Sequence, residues 1–298
     1  MTDNAGMRRI SFLALLLVAG TARAQSPAVS DWGYYGGDGF AQRYSPLREI
    51  NRDNVAQLEV AWTYRTGELG EGFGRADKLA FEATPVLAFG RLYLSTPTDI
   101  VIALDPASGR ERWRHDPRVP RKQHYAEATS RGVTTWEDPD KARTGPCRRR
   151  VFLGTLDARL LALDADTGRP CAGFGIGGAV ALGADARSTT PGEYLVTSPP
   201  ATFEDIVIVG SAIGDNRAVE LERGIVRGFD ARTGALRWKF DPIPDGPAHP
   251  AASQWQPGQA QRTGGANAWA PVTVDAGRGL AFVPTGSASP DFFGGERL

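Results

Sequence analysis

The sequence predicts an all-β protein, a β-propeller of four-stranded antiparallel blades, and a repeated turn motif is the main reason. An apolar run followed by Asp, two residues, Ser or Thr, and Gly occurs three times, at Asp105, Asp164 and Asp230. The apolar run predicts a strand, and the Asp-x-x-(Ser/Thr)-Gly segment predicts a tight turn into the next strand. Because the copies lie roughly 60 residues apart, they indicate one supersecondary unit repeated along the chain.

The composition supports the same fold class. The 298 residues include 36 Gly and 21 Pro, which interrupt many short apolar runs, as turns interrupt strands. In two of the repeats, Trp113 and Trp238 stand in the strand after the turn, so we expect tryptophan-docking repeats. Lysine and arginine total 34, as do aspartate and glutamate, so no overall field favours nucleic acid or an anionic membrane as a partner.

Residues 1–24 have the pattern of a cleavable signal peptide. An Arg pair precedes an apolar run at 10–20, and Ala22 and Ala24 are the small residues that a signal peptidase reads. The run is too short for a permanent membrane span. An uncleaved anchor and a buried helix are the alternatives. We therefore expect a mature protein that begins at Gln25, in the periplasm, without a transmembrane anchor.

The chain has two cysteines, Cys147 and Cys171, and an oxidising compartment permits a disulfide between them. They flank one repeat unit, and Cys171 stands where the other two repeats have Trp. A disulfide that closes this unit is one expectation, and two buried or free thiols are the other. Two cysteines this far apart do not make a metal site.

The first unit can be divided into strands. Four β-rich runs, separated by a Gly turn, a Pro loop and the repeat turn, fall within about 36 residues, which is the length of one blade. These strands are expected at 84–89, 91–96, 100–104 and 111–115. Upstream of them, 51–58 predicts a short helix-like segment and 61–67 predicts a strand that ends in a turn.

The later units are less regular. A polar stretch at 118–150 predicts a long loop, and strands of the third unit are expected at 202–210 and 225–230. The second unit is expected at 151–174. A glycine-rich insertion follows it, but its glycines do not form a GxGxxG that opens a helix, so the sequence does not indicate a nucleotide site.

The number of units predicts an unfinished ring. A fourth unit begins in AWAPVTVD and contains two strands before Leu298, so about three and a half blades are present. Propellers close with typically four to eight blades. We therefore expect residues 25–298 to form a propeller domain truncated at its C-terminus, to be completed by a partner or by more of the same chain.

Several motifs occur in a characteristic order: FEATPV, SRGV, TSPP, GSAIGDN, IVRGFDARTGALRW, NAWAPVTVD and PTGSASPDFFGG. They resemble those of the pyrroloquinoline quinone (PQQ)-dependent dehydrogenases, most of all the quinoprotein glucose dehydrogenase branch. The resemblance runs from Asp31 to Leu298. It implies the family's eight-bladed propeller, of which this chain resembles the N-terminal half.

The resemblance implies a reaction as well as a fold. PQQ is a flat ortho-quinone with three carboxylates, so its pocket needs an aromatic floor, cations or donors for the carboxylates, and a hard divalent ion. The implied activity is oxidation of a hydroxyl group of an aldose or polyol, with electrons passed to ubiquinone or a cytochrome-type acceptor. The family's aspartate base and a further PQQ-binding lysine or arginine are expected beyond Leu298, so this fragment alone is expected to be inactive.

The resemblance assigns cofactor-binding roles to five residues. Trp269 in NAWAP matches the tryptophan that stacks on the quinone, although without the family it suggests a core plug. Arg131 in SRGV matches the arginine that pairs with a PQQ carboxylate, where the alternative is a solvated loop arginine. Glu82 matches a glutamate that contacts the cofactor, and Thr197 and Ser211 match hydroxyl positions near its oxygens.

Asp215 and Asn216 in GSAIGDN match the pair that supplies oxygen ligands to the divalent ion. Oxygen ligands suit Ca²⁺ or Mg²⁺. Taken alone, Gly-Asp-Asn is simply a turn. The three histidines of the chain are scattered and indicate no transition-metal cluster.

Some positions depart from the family pattern. Ser130 stands where the glucose branch tends to have Cys, and Glu127 stands where a histidine is expected. Ser287 occupies a position at which other branches use an asparagine metal ligand. Adjacent cysteines ahead of the Arg-Gly pair, which mark the alcohol branch, are absent, and this favours the glucose or polyol branch.

A second hypothesis belongs to a different class of protein. The chain would then be a non-catalytic propeller scaffold, or a PQQ-binding fragment that lacks the catalytic half. A scaffold predicts no pocket residues beyond the repeat itself. The joint presence of Arg131, Asp215, Asn216 and Trp269 favours the enzyme.

Overall fold

The computed structural model describes residues 32–68 and 79–295, and the proposed signal peptide lies outside the described residues. Three four-stranded antiparallel sheets follow one another along the chain. Each sheet is built from consecutive segments, as the repeat predicted. The prediction of an all-β propeller of four-stranded blades is therefore confirmed.

The strands of the three blades and of a further pair are as follows. Blade 1 contains β2 (Val86–Ala88), β3 (Arg91–Ser95), β4 (Val101–Leu104) and β5 (Glu111–His115). Blade 2 contains β7 (Thr134–Glu137), β8 (Arg149–Gly154), β9 (Arg159–Asp164) and β10 (Ala179–Ala181). Blade 3 contains β12 (Ala201–Phe203), β13 (Ile206–Val209), β15 (Val226–Asp230) and β16 (Leu236–Phe240). The last pair is β17 (Thr273–Asp275) and β18 (Leu280–Phe282).

Two small sheets lie outside the blades. Strand β1 (Leu79–Phe81) pairs in parallel with β6 (Ala128–Ser130), and β11 (Tyr194–Leu195) pairs with β14 (Ala212–Ile213). Among the described residues, the complete helical elements are single turns, at Val55–Gln57, Ala252–Gln254 and Gln259–Arg262. The described residues contain no helix of the length and apolarity that a membrane crossing requires.

Several boundaries differ from the sequence-based prediction. Residues 202–210 are a hairpin and not one strand, because Glu204, with a φ of 49°, turns the chain between β12 and β13. The predicted loop at 118–150 contains β6 and β7, and the glycine-rich insertion supplies β10. These strands are short and flanked by polar or glycine residues, which hides their pattern.

The segment at 61–67 was predicted to be a strand, and this prediction was wrong for the described chain. Its backbone pairs with no described strand. Instead, Trp62 and Tyr64 pack against an apolar surface of blade 1 that includes Leu94 and Ile102. The segment at 51–58, predicted to be helix-like, contains one 3₁₀ turn.

The hydrophobic core lies between neighbouring blades. One cluster joins blade 1 to blade 2, with Tyr93, Val101 and Trp113 against Val151 and Leu163. The next cluster joins blade 2 to blade 3 in the same manner. The central strands β4, β8, β9 and β15 are buried on both faces along almost their whole length, whereas the outer strands β5 and β16 are mostly exposed.

Cys147 and Cys171 form a disulfide, with their Cα atoms 5.8 Å apart. This confirms the first of the two alternatives that the sequence left open. The bond ties the segment before β8 to the segment after β9, so it closes the loop of blade 2 that contains the repeat turn at Asp164.

Candidate functional site

The parallel pairing of β1 with β6 brings two of the predicted site residues together. Glu82 follows β1 and Arg131 follows β6, and parallel strands end at the same edge of a sheet. Gly132 allows the chain to pass close to Thr84, since its φ is 135° and an added Cβ would lie 3.0 Å from the Thr84 carbonyl oxygen. The close approach of the two backbones therefore explains why glycine follows arginine in the SRGV motif.

Arg131 is the centre of a polar network. Its guanidinium donates to Thr197 Oγ1 at 2.6 Å and pairs with carboxylate oxygens of Glu127 at 2.6 Å and Glu82 at 3.0 Å. Its backbone N–H also donates to the Thr197 carbonyl oxygen. The side chain is only 13% exposed. A guanidinium held in this way is a fixed cation with a defined orientation.

Trp269 lies directly beside this cation. The Arg131 guanidinium carbon is 5.2 Å from the centroid of the Trp269 ring. Trp269 is 45% exposed, whereas the docking Trp113 is 9% exposed, so Trp269 is not a core plug. Ser198 donates a hydrogen bond to the Trp269 carbonyl oxygen and anchors its backbone. The ring is thus held in place with a surface free for a planar ligand.

The remaining predicted residues follow β13 of blade 3. Ser211 donates its N–H to the Ala268 carbonyl oxygen, and the Asn267 amide donates to the Ser211 carbonyl oxygen. These bonds bring the loop that contains Asp215 next to the segment that contains Trp269. Three buried polar atoms here have no partner among the described residues, namely Ser211 Oγ, Asn267 Oδ1 and Ser289 Oγ. Unpartnered buried polar atoms are costly in a folded protein, so they indicate a place where a ligand binds.

A cavity of about 590 Å³ unites these groups. Of the seven predicted residues, Arg131, Asp215, Asn216 and Trp269 line it. The other three are not part of its lining but contact residues that are: Glu82 and Thr197 contact Arg131, and Ser211 contacts Asn267. The structure therefore brings all seven residues into one region, four of them at the surface of the cavity.

The ionised carboxylate of Asp215 is destabilised by its surroundings in this cavity. Desolvation raises the pKa of its carboxyl group, and the neighbouring negative charges of Asp291 and Glu127 raise it further. Asn216 is less available, because its Oδ1 already accepts hydrogen bonds from the N–H groups of Asp291 and Phe292. No cluster of three or more His, Cys, Asp or Glu side chains in the described part of the chain is arranged to hold a metal ion. Of the predicted pair, Asp215 is the better ligand as the site stands.

Sequence reasoning assigned no role to four residues of the region, namely Asn267, Ser289, His124 and Glu193. Asn267 lies two positions before Trp269 in a segment of small residues, and an amide there was a usable signal. Ser289 lies two positions after Ser287, which was singled out, and it is the Ser289 hydroxyl that is buried without a partner. His124 and Glu193 line the cavity from loops that no motif marked.

Comparison with known proteins agrees with this geometry. The family described as PQQ: glucose/ethanol/alcohol dehydrogenase, β-propeller domain, matches residues 32–298. Quinoprotein glucose dehydrogenase A of Acinetobacter calcoaceticus is 36% identical over 283 residues, covering 91% of this chain and 34% of that protein. The glycerol dehydrogenase large subunit of Gluconobacter oxydans is 35% identical over 276 residues, covering 92% of this chain and 36% of that protein.

A solved structure agrees as well. The quinohemoprotein alcohol dehydrogenase of Pseudomonas putida superposes with a TM-score of 0.69 at 31% identity, covering 87% of this chain and 35% of that one. The chain thus spans about a third of the length of the relatives it matches. With the matched family covering residues 32–298 and the blades folded as that family requires, the chain belongs to the PQQ-dependent dehydrogenase β-propeller family.

Proposed function

We propose that the complete protein is a PQQ-dependent dehydrogenase that oxidises a hydroxyl group of an aldose or polyol. The observation that supports this most directly is the fixed Arg131 cation beside the exposed Trp269 ring, in the same cavity as Asp215. Similarity to glucose and glycerol dehydrogenases supports a polyhydroxy substrate. We further propose a periplasmic location, consistent with the N-terminal sequence and with the disulfide.

The residues present fit PQQ. A planar tricarboxylate needs an aromatic surface and cationic or hydrogen-bonding groups, and Trp269 and Arg131 offer both. The unpartnered Oγ of Ser211 and Oδ1 of Asn267 are further groups without a hydrogen-bond partner in the described chain. When bound, PQQ accepts the hydride that leaves the substrate carbon. The role of Arg131 is to hold a carboxylate of the cofactor, and that of Trp269 is to fix the plane of its ring.

A divalent cation fits the same cavity. Its charge would offset the repulsion between Asp215 and Asp291, which is one cause of the raised pKa of Asp215. Hard oxygen ligands suit Ca²⁺ or Mg²⁺, and these ions need six or more oxygens. The described chain offers Asp215 and, after release of its backbone bonds, Asn216, so the remaining oxygens come from outside this pair: from the cofactor, from water or from other parts of the complete protein.

Two parts of the reaction are assigned to no residue of this chain. The base that removes the substrate proton is predicted to be an aspartate elsewhere in the protein. Ubiquinone or a cytochrome-type protein is proposed as the electron acceptor. The role of the described residues is to bind and orient the cofactor and to form one wall of the substrate cavity.

Binding of PQQ tests the proposal. In the complete gene product with Ca²⁺, we expect Arg131→Gln to weaken PQQ binding at least tenfold, because it removes a charge-assisted hydrogen bond. Arg149→Gln is the matched control, since Arg149 also lies over an aromatic ring, at Phe89, but outside the cavity. Equilibrium titration followed by tryptophan fluorescence measures both. A non-catalytic scaffold predicts no PQQ uptake and no dye-linked sugar oxidation, so either absence in the wild type would reject the proposal.

A further inference from the structure

The same cavity is lined by a further carboxylate, that of Glu193. The side chain of Glu193 is only 10% exposed, and its Oε2 pairs with Arg217 Nε at 3.0 Å. Its Oε1 faces Nε2 of His124 at 3.9 Å, which is too long for a hydrogen bond. Glu193 lines the cavity, and Oε1 receives no hydrogen bond from the described residues. Within the described part of the chain it is therefore an acceptor without a donor.

The fold brings the backbones of these two residues to a defined separation. Gly192 has a φ of 84°, and an added Cβ would lie 1.8 Å from the His124 carbonyl oxygen, so only glycine allows the two segments to approach. Two hydrogen bonds fix the arrangement, from the N–H of Ala126 to Gly192 and from the N–H of Gly214 to Glu193. The separation of His124 and Glu193 is thus set by backbone contacts.

The carboxylate itself is also immobilised. Arg217 pairs with Glu193 and, at 2.7 Å, with Glu222, and its Nε donates to the Gly214 carbonyl oxygen at 2.8 Å. Because Glu193 is held before any ligand arrives, little side-chain entropy is lost when Oε1 accepts a hydrogen bond. His124 is different, since its side chain is 64% exposed and can adjust to the ligand.

We propose that His124 and Glu193 form a hydroxyl-binding pair that determines which substrates are accepted. A substrate hydroxyl placed between them donates to Glu193 Oε1 and accepts from His124 Nε2, and a gap of 3.9 Å allows normal lengths for both bonds. A substrate without a hydroxyl at that position leaves the Glu193 oxygen desolvated and unpaired, which is a strong basis for rejection.

The pair is well placed to select a second hydroxyl group, distinct from the one that is oxidised. His124 and Glu193 line the same cavity as Arg131, Asp215 and Trp269, which are assigned to the cofactor and ion. Because Arg131 and Trp269 hold the cofactor, and the substrate carbon that reacts must lie next to it, the remaining polar pair of the lining, His124 and Glu193, is assigned to another part of the substrate. The inference rests on the proposed function and extends it to substrate selection.

Glucose and its monodeoxy analogues provide the test, with the complete gene product loaded with PQQ and Ca²⁺. The wild type should lose about tenfold in kcat/KM for one analogue, the one that lacks the bound hydroxyl. In His124→Ala and in Glu193→Gln, kcat/KM for glucose should fall to the wild-type value for that analogue, while kcat/KM for the analogue itself changes less than twofold. Arg121→Gln is the control, because Arg121 is in the same loop but pairs with Asp116 outside the cavity.

Two results would overturn the inference. If both variants keep the wild-type preference among the analogues, the pair does not contact the substrate. If kcat/KM for glucose and for all analogues decreases equally while PQQ affinity is unchanged, the pair does not select among substrates. Failure of the proposed function looks different, since the wild type with PQQ would then oxidise none of these sugars, and both proposals would be rejected together.

Discussion

The carbonyl group that follows the repeat Asp is satisfied at all three junctions between a repeat and the part of the chain before it, which is the segment 61–67 for blade 1 and the preceding blade for blades 2 and 3. Trp62 Nε1 donates to Pro106 at 3.1 Å, and Trp113 Nε1 donates to Ala165 at 3.0 Å. At the third junction the donor is Arg150 Nη1, which bonds the Ala231 carbonyl oxygen at 2.7 Å. The donor to this carbonyl oxygen is thus a tryptophan indole in two repeats and an arginine guanidinium in the third.

Blade 2 has no docking tryptophan, and the change of donor compensates for its absence. Cys171 occupies that position and is committed to the disulfide. Phe174 is fully buried close by, and the Arg150 guanidinium lies over the rings of both Phe174 and Trp136, 6.0 and 5.6 Å from their centroids. Burial lowers the pKa of Arg150 to about 10, so it is charged at neutral pH and needs its carbonyl acceptors.

Arg150→Met should therefore be strongly destabilising. The substitution removes the donor to the carbonyl groups of Ala231 and Arg232, which then remain buried and unpaired. We expect a loss of about 3 kcal/mol in the free energy of unfolding, measured by urea denaturation. Trp113→Phe should cost less, because the Tyr93 hydroxyl also donates to the Ala165 carbonyl oxygen. Arg149→Met, on the exposed side, is the control, and an equal loss there would contradict the assigned role.

Sequence reasoning located the site residues better than their contacts. Arg131 and Trp269 were identified from motifs because each motif is local in the chain. Their mutual stacking, and the approach of His124 to Glu193, join segments far apart in sequence. Such contacts depend on tertiary packing, for example on the close approach at Gly192, and no local pattern encodes them.

Among the strands, those next to the repeat turn were predicted best. Strand β5 lies at 111–115 as expected, because an Asp-x-x-Ser-Gly turn marks its start. Strands β7 and β10 were missed, since β7 follows a polar stretch and β10 has only three residues between glycine-rich segments. Both lie at the edges of blade 2; β7 is mostly buried but begins with two threonines, and β10 is partly exposed, so neither gives a long apolar run.

The disulfide should contribute substantially to the stability of blade 2. It closes a loop with a sequence separation of 24 residues, and chain entropy then predicts a contribution of about 3 kcal/mol. We expect Cys147→Ser with Cys171→Ser to lower the free energy of unfolding by about this amount in urea titrations. Reduction of the wild type should give the same loss. A reducing agent that has no effect on the wild-type midpoint would contradict this role.

Across the whole molecule, the repeat turns make stability depend on pH. The Ser108 hydroxyl and the Arg112 guanidinium lower the pKa of Asp105 to about 2. Partial burial opposes the same effect at Asp230, yet the ion pair with Arg237 and the bonds from Thr233 hold its pKa at about 2. Both carboxylates belong to equivalent turns at two different blade junctions.

The sign of this dependence follows from the lowered pKa values. Each carboxylate binds a proton more weakly in the folded state than in the unfolded state, where its pKa is about 3.9. Its stabilising contribution is therefore complete above about pH 5 and is lost as the pH falls towards 2. On account of these two carboxylates, urea midpoints should decline below about pH 5. Asp230→Asn should lower the midpoint at pH 7 and flatten the decline, whereas Asp245→Asn, in an exposed loop, should do neither; a decline as steep in Asp230→Asn as in the wild type would assign acid sensitivity to other groups.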